Sequence, residues 1–87
     1  MQQEIKMEDQ RIQSILEVLG ELEQDNTVPR NIKAKIGEVI KILKQDEELS
    51  IRINKALSEL DEVSDDSNMQ PYTRTQIWNV VSALEMI

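Results

Sequence analysis

The chain contains no cysteine and no histidine. Without cysteine it has no disulfide framework, no thiol nucleophile and no zinc site built from cysteine ligands. Without histidine it lacks the commonest general base and the commonest ligand of transition metals. Both absences weigh against an enzyme. We therefore predict no catalytic residue, no cofactor and no metal ion.

Aromatic side chains are almost missing as well: there is no phenylalanine, Tyr72 is the one tyrosine and Trp78 is the one tryptophan. The core must therefore be built from aliphatic side chains. A chain of 87 residues is one domain, and a domain of this size buries only about 60% of its unfolded surface. We expect one small core shared by residues 1–87.

Long hydrophobic runs are absent, and no stretch approaches the ~20 apolar residues that span a bilayer. The first six residues, Met-Gln-Gln-Glu-Ile-Lys, are polar and do not resemble a signal peptide. We expect a cytoplasmic protein that does not bind membranes.

Basic residues are in the minority, 10 against 17 acidic ones, and the net charge of −7 works against loose binding to nucleic acid. The distribution is uneven: residues 1–25 carry −5, residues 29–45 carry +4, residues 46–66 carry −6, and residues 67–87 are neutral. We interpret the bases of the second segment as complements to the acidic segments on either side. Phosphate binding is the alternative, but no aromatic residue lies among these bases to stack on nucleotides. We define the basic strip as Arg30, Lys33, Lys41 and Lys44.

What the chain does contain is an internal repeat. A shift of 41 residues places the apolar positions of the first half on those of the second without a gap. A repeat of this length that holds two helical segments predicts a duplicated helical hairpin. The matching pairs include Ile12 with Ile53, Leu19 with Leu60, Ile36 with Ile77, Val39 with Val80, and Leu43 with Leu84.

Apolar residues recur at spacings of 3, 4 and 7 in four segments, about 3–24, 29–45, 46–63 and 71–87. This spacing predicts helices and no strand. The connections are short, which makes consecutive helices antiparallel. We predict an all-α, compact antiparallel four-helix bundle built from two similar hairpins, residues 3–45 and 46–87. The alternative is two stacked HEAT-like hairpins, although a solenoid needs about three repeats.

Several local signals refine the helix ends. Asp46 is a good N-cap for the third helix, and Thr73 with Gln76 matches a capping box if the fourth helix begins there rather than near Pro71. Gly20 costs about 1 kcal/mol inside a helix, which predicts close packing or an early helix end. Met69, which matches Val28 of the first repeat, is expected to anchor its loop under the bundle.

The acidic loop after the third helix could hold a hard cation through its oxygen atoms. Its spacing does not follow the EF-hand pattern, and the central glycine of that motif is missing. We interpret these side chains as turn formers that accept hydrogen bonds from the backbone. They are Asp61, Asp65, Asp66 and Asn68.

The start of the fourth helix is the best candidate for binding, because Tyr, Trp and Arg are enriched at interaction hot spots. Arg74 and Trp78 are one turn apart and can stack. We expect Trp78 to flank the core beside Ile77, and Tyr72 to be exposed. The candidate interaction surface is Tyr72, Arg74, Gln76, Trp78 and Asn79.

Two of these stretches also resemble a known family. Val28-Pro29-Arg30-Asn31-Ile32, with Tyr72-Thr73-Arg74-Thr75-Gln76-Ile77-Trp78, is similar to an uncharacterised protein family of small acidic archaeal proteins. The resemblance extends from about Ile15 to Glu85 and implies a four-helix bundle. It implies no activity, because none is assigned to the family, and no functional residue is transferred.

The leading hypothesis is a non-enzymatic protein-interaction or structural module that binds a protein partner or itself. Val18, Ile42 and Ile51 lie off the main apolar stripes, and a symmetric dimer is the common way to cover such residues. One alternative is a nucleic-acid-associated protein that uses the basic strip. The other is an enzyme that uses carboxylates, with or without Mg²⁺.

Overall fold

A computed structural model describes residues 8–87, which form four α-helices and no strand. The helices are α1 (Glu8–Gln24), α2 (Arg30–Lys44), α3 (Leu49–Ser64) and α4 (Pro71–Glu85). The all-α prediction is confirmed. The part of hairpin one before Glu8, including Ile5, lies outside the described residues.

In cross-section the four helices occupy the corners of a square, in chain order around it. Within residues 8–87, α1 packs on α2 and α4, and α3 packs on the same two helices, while the diagonal pairs do not meet. In a HEAT-like stack the first helices of the two hairpins would lie side by side. They do not, so the closed bundle is the observed architecture.

The core is aliphatic, as the shortage of rings requires. Each helix turns its apolar stripe inward, and Val28 in the α1–α2 loop and Met69 in the α3–α4 loop close the core. Met69 is 5% exposed, which confirms the predicted anchor. The buried apolar residues are Ile12, Ile15, Leu19, Leu22, Val28, Ile32, Ile36, Val39, Leu43, Ala56, Leu60, Val63, Met69, Ile77, Val80 and Leu84.

The repeat of the sequence is also a repeat of the structure. The bounds of α2, moved by 41 residues, coincide with those of α4. The buried positions correspond as well, and only Ile53, the partner of Ile12, remains partly exposed. Because α1 corresponds to α3, and α2 to α4, the pseudo-twofold axis runs along the bundle.

The same correspondence holds in the loops at one end of the bundle. The Thr27 N–H donates to Asp25 Oδ1, and the Asn68 N–H donates to Asp66 Oδ1, both at 2.8 Å. Hydrogen bonds from Thr27 lower the pKa of Asp25, with the hydroxyl bond the larger cause. The Asn68 N–H, and then the Asn31 amide at 2.9 Å, lower the pKa of Asp66. Asp66 is therefore a turn former, as interpreted.

Gly20 does not mark a helix end or a close contact. Helix α1 continues through it to Gln24, and no atom lies within 4 Å of where its Cβ would be. The prediction made from Gly20 is wrong. The close approach occurs at Gly37, whose Cβ would lie 2.8 Å from Glu23 Oε2.

The predicted N-cap Asp46 is wrong. Helix α3 begins at Leu49 after Glu48, and Arg52 holds the preceding segment through its Nε–H to the Glu47 carbonyl (2.8 Å) and its Nη1–H to the Leu43 carbonyl (2.9 Å). Helix α4 begins at Pro71, the first of its two predicted starts, and not at Thr73, on which the capping box depended.

Since α4 starts two residues earlier, Thr73 lies inside the first turn and faces the core. It is 1% exposed, and its hydroxyl oxygen has no hydrogen-bond partner. The corresponding residue of hairpin one is the fully buried Ile32. The position therefore belongs to the apolar core and not to a capping box.

Candidate interaction surface

The five residues of the candidate interaction surface do not share one face. Tyr72, Gln76 and Asn79 are spaced four and three residues apart, so they follow one side of α4, the side toward α1. Asn79 lines a cleft there with Val18 and Ala83. Trp78 lies on the side of α4 that faces α3. The helix thus presents two separate surfaces.

Tyr72 is 62% exposed, as expected, and its hydroxyl accepts a hydrogen bond from Gln76 Nε2 at 2.8 Å. This bond spans one helical turn. It holds both side chains along the surface of α4.

Arg74 has a structural role. Its Nη1–H donates to the Ser64 carbonyl at 2.9 Å, and its Nη2–H donates to the Asp66 carbonyl at 3.1 Å. These carbonyls lie at the end of α3 and in the next loop, where backbone acceptors have no helical partner. The guanidinium therefore holds the α3–α4 loop against α4.

Trp78 is 60% exposed, so the expectation that it flanks the core is wrong. Ile77 takes the core position, and the next residue is rotated by about 100° around the helix. The indole lies at the wall of a surface groove with Leu57 and Val81. The corresponding residue of hairpin one is Gly37.

We call this surface the α3–α4 groove. It has two adjoining compartments of about 510 and 450 Å³, which share Asn54, Leu57 and Glu85. The charged residues among its lining are both acidic, Asp61 and Glu85. The other lining residues are Leu49, Ser50, Ile53, Ser58, Ser64, Trp78, Val81, Leu84 and Ile87.

Helix α4 packs less extensively on its two neighbours than α2 does on its own. This looser packing leaves Leu57 and Val81 only partly buried on the α3 side, and Val18 and Ala83 on the α1 side. The sequence predicted the apolar stripe of α3, but not that one edge of it remains open. That edge depends on how far apart the two helices stand.

The basic strip lies on the opposite part of the bundle. Arg30 and Lys33 line a shallow cleft of about 360 Å³ with Asn26 and Pro29. Lys41 lies eight residues beyond Lys33, about 12 Å along the helix. The four bases are therefore spread along α2, and they do not converge on one point.

The predicted complementarity between the bases of α2 and its acidic neighbours is found on the α3 side. Among the described residues, α2 is joined to α3, not to α1, by Lys35 Nζ, which lies 2.9 Å from Glu59 Oε1 and 2.7 Å from Glu62 Oε1. These two carboxylates, Glu62 first, raise the pKa of Lys35. Lys35 lies on the other side of α2 from the basic strip, and this position gives it acidic partners on α3.

Residues 8–87 contain no group of three or more acidic side chains that could hold a metal ion. Within the same range, no helix is long and apolar enough to cross a membrane.

The family comparison completes the description. The model of an uncharacterised protein family, UPF0147, matches residues 1–87. The chain belongs to the UPF0147 family. Similar family members include the UPF0147 protein MJ1419 of Methanocaldococcus jannaschii, 41% identical over 83 residues that cover 94% of this chain and 89% of the relative. UPF0147 protein PF0239 of Pyrococcus furiosus is 43% identical over 91% of this chain and 87% of its own.

Two crystal structures have the same fold as this UPF0147 chain. One, described as a protein of unknown function, MMP1188, has a TM-score of 0.87 and 39% identity over 99% of this chain and 98% of its own. A UPF0147 protein of Thermoplasma acidophilum has a TM-score of 0.87 and 31% identity over 94% of this chain and 98% of its own. The names of these proteins assign no activity to them, and the resemblance to an uncharacterised archaeal family is confirmed.

Proposed function

We propose that this UPF0147 protein is a non-enzymatic interaction module of the cytoplasm that binds a protein partner through the α3–α4 groove. The observation that carries the proposal is Trp78, which is 60% exposed at the wall of a groove that is polar around the indole and apolar toward Leu49 and Ile87. A single exposed hydrophobic residue needs no explanation. An exposed indole that is continuous with a row of half-buried aliphatic side chains is typical of a binding surface.

The energetics favour Trp78 as the anchor. Aromatic side chains such as Trp bury about 150–250 Å² each when a partner covers them. Truncation of a hot-spot residue costs at least about 2 kcal/mol, or roughly 30-fold in affinity. Leu57 and Val81, at the base of the groove, add apolar contact beside the indole.

The other two function classes receive less support. Nucleic-acid binding would rest on four bases spread along α2, in a chain of net charge −7. A carboxylate enzyme would need paired acids in a cleft that raises the pKa of one of them, whereas Asp61 and Glu85, the two acids that line the groove, are both exposed to solvent.

The test is affinity capture from a lysate of the source organism, after nuclease treatment, with Trp78→Ala compared with Tyr72→Ala. Tyr72 is a matched control, because it is equally exposed but lies on the other side of α4. We expect one protein partner that the wild type and Tyr72→Ala retain and Trp78→Ala loses. Identical captured proteins for all three chains would contradict the proposal, as would a partner that only Tyr72→Ala loses.

Self-association is the second candidate, because Ile51 is 41% exposed on the outer side of α3. Val18 and Ile42, by contrast, are already partly covered in the monomer. Sedimentation velocity at micromolar concentration distinguishes a monomer from a dimer. An Ile51→Lys variant should dissociate a dimer formed through this residue.

A further inference from the structure

We infer that the occupant of the α3–α4 groove is a basic amphipathic helix of the partner protein. This inference rests on the proposed function and names the chemistry of the partner. It follows from the shape of the groove, the charge at its edges and its contrast with the corresponding surface of hairpin one.

The groove has the length and surface of a helix-binding site. Its lining residues extend along α3 from Leu49 to Ser64 and along α4 from Trp78 to Ile87. It therefore follows α3 over its 16 residues, or about 24 Å. An amphipathic helix places its i, i+3, i+4 and i+7 side chains into such a groove.

Charge selects the type of helix. The acidic side chains Asp61 and Glu85 are the charged residues that line the groove. Lysine or arginine beside the apolar face of the incoming helix would meet opposite charge. Glutamate in the same places would meet like charge, which suppresses binding.

A second copy of this chain fits the groove poorly. A twofold dimer brings the same patch of both copies together, so Asp61 and Glu85 of one copy would face the acids of the other. Insertion of the basic strip of another copy would be a head-to-tail contact, which leaves a free groove at one end unless a ring closes. A separate partner avoids both difficulties.

Hairpin one carries different side chains at the positions that correspond to this groove. There Gly37 replaces Trp78, and the Glu23 carboxylate lies against Gly37 where hairpin two has the shorter Ser64. Lys44 also replaces Glu85. Hairpin one thus has the Glu23 carboxylate against Gly37 and the basic Lys44 at the edge. Hairpin two has the exposed Trp78 and the acidic Glu85 at the corresponding positions.

The test uses two 18-residue peptides with the same leucine face and either lysine or glutamate on the polar face. Neither peptide contains tryptophan, so the emission of the single tryptophan of the protein, Trp78, reports binding. We expect the lysine peptide to bind at least about ten-fold more tightly, with a blue shift, and to weaken as salt screens the acids.

Substitutions separate the groove from general attraction to an acidic protein. Asp61→Lys with Glu85→Lys should abolish or reverse the preference for the lysine peptide, and the isosteric pair Asp61→Asn with Glu85→Gln should reduce it. The matched control is Glu17→Lys with Glu38→Lys, an equal change in net charge at two exposed positions outside the groove. This control should keep most of the preference.

Equal affinities for the two peptides, or equal loss of preference in the control, would overturn the inference. A dimer that buries Trp78 would also overturn it. If lysate capture yields a partner that depends on Trp78 but binds through an acidic or uncharged segment, the interaction module stands and the basic helix does not.

Discussion

Replacement of Gly20 by alanine should stabilise the protein. Gly20 lies inside α1, four residues before its end, and it has no positive φ angle that would require glycine. An added Cβ would meet no atom within 4 Å. Alanine is about 1 kcal/mol more favourable than glycine inside a helix, because the unfolded chain has less conformational freedom to lose.

Guanidinium unfolding, followed by circular dichroism at 222 nm, measures the effect. With the m-values of small domains, about 2–6 kcal/mol per molar guanidinium, a gain of ~1 kcal/mol moves the midpoint upward by about 0.2–0.5 M. The melting temperature of a domain of this size should rise by about 4–8 °C. An unchanged slope would show that stability, and not the amount of surface exposed on unfolding, has changed.

Gly37→Ala is the matched comparison in the neighbouring helix. Its Cβ would lie 2.8 Å from Glu23 Oε2, so the Glu23 side chain must move and part of the gain is lost. In a Glu23→Ala background, Gly37→Ala should recover the full gain. The reasoning would be refuted if Gly20→Ala were neutral or destabilising, since no contact or backbone conformation opposes the methyl group.

Three further predictions concern the ends of the helices. Thr73→Val should raise the free energy of unfolding by about 1 kcal/mol, because it removes a buried hydroxyl without a partner, whereas Thr73→Ser should lower it; guanidinium unfolding of both variants tests the pair. Arg74→Ala should lower the free energy of unfolding by about 1–2 kcal/mol, since it removes two hydrogen bonds to backbone carbonyls, and unchanged stability would contradict the role assigned to Arg74. Because folding lowers the pKa values of Asp25 and Asp66, their contribution to stability is present above the ordinary value of 3.8 and is lost as the pH falls through the folded pKa values. Asp25→Asn with Asp66→Asn should flatten this acid-side loss in unfolding measured from pH 2 to pH 7, and an unchanged pH profile would argue against it.

The sequence predicted the bundle because apolar residues recur at helical spacing and at matching positions of the two hairpins. Leu19 and Leu60, or Ile36 and Ile77, occupy matching places in two similar frames, and a helical period brings each set to one side. Such patterns depend on local geometry alone, so they can be recognised without the structure. The repeat, the inward stripes and the loop anchors were therefore all predictable.

Helix starts and surface exposure depend on distant contacts. Asp46 is a suitable cap by residue type, but Arg52, from the first turn of α3, holds the carbonyls of Leu43 and Glu47 before it. Whether Trp78 is buried or exposed depends on the distance between α3 and α4, which the sequence pattern does not give. The candidate surface was predicted as one patch because five residues adjacent in sequence were considered without their rotation around α4.

The division of the candidate surface changes how substitutions should be interpreted. Arg74→Ala is not a test of partner binding, because the side chain supports the α3–α4 loop. Tyr72 and Trp78 report on different sides of α4. Comparison of Tyr72→Ala with Trp78→Ala therefore locates a binding partner as well as detecting it.

The pseudo-twofold axis along the bundle has a consequence for the order of the chain. Since α1 and α3 run in the same direction, residue 8, residue 87 and the connection between α2 and α3 all lie at one end of the bundle. Arg11 and Ile87 indeed line the same cleft. A circular permutant opened between Lys44 and Leu49 would place hairpin two before hairpin one in the chain. We therefore expect the fold not to depend on which hairpin is synthesised first.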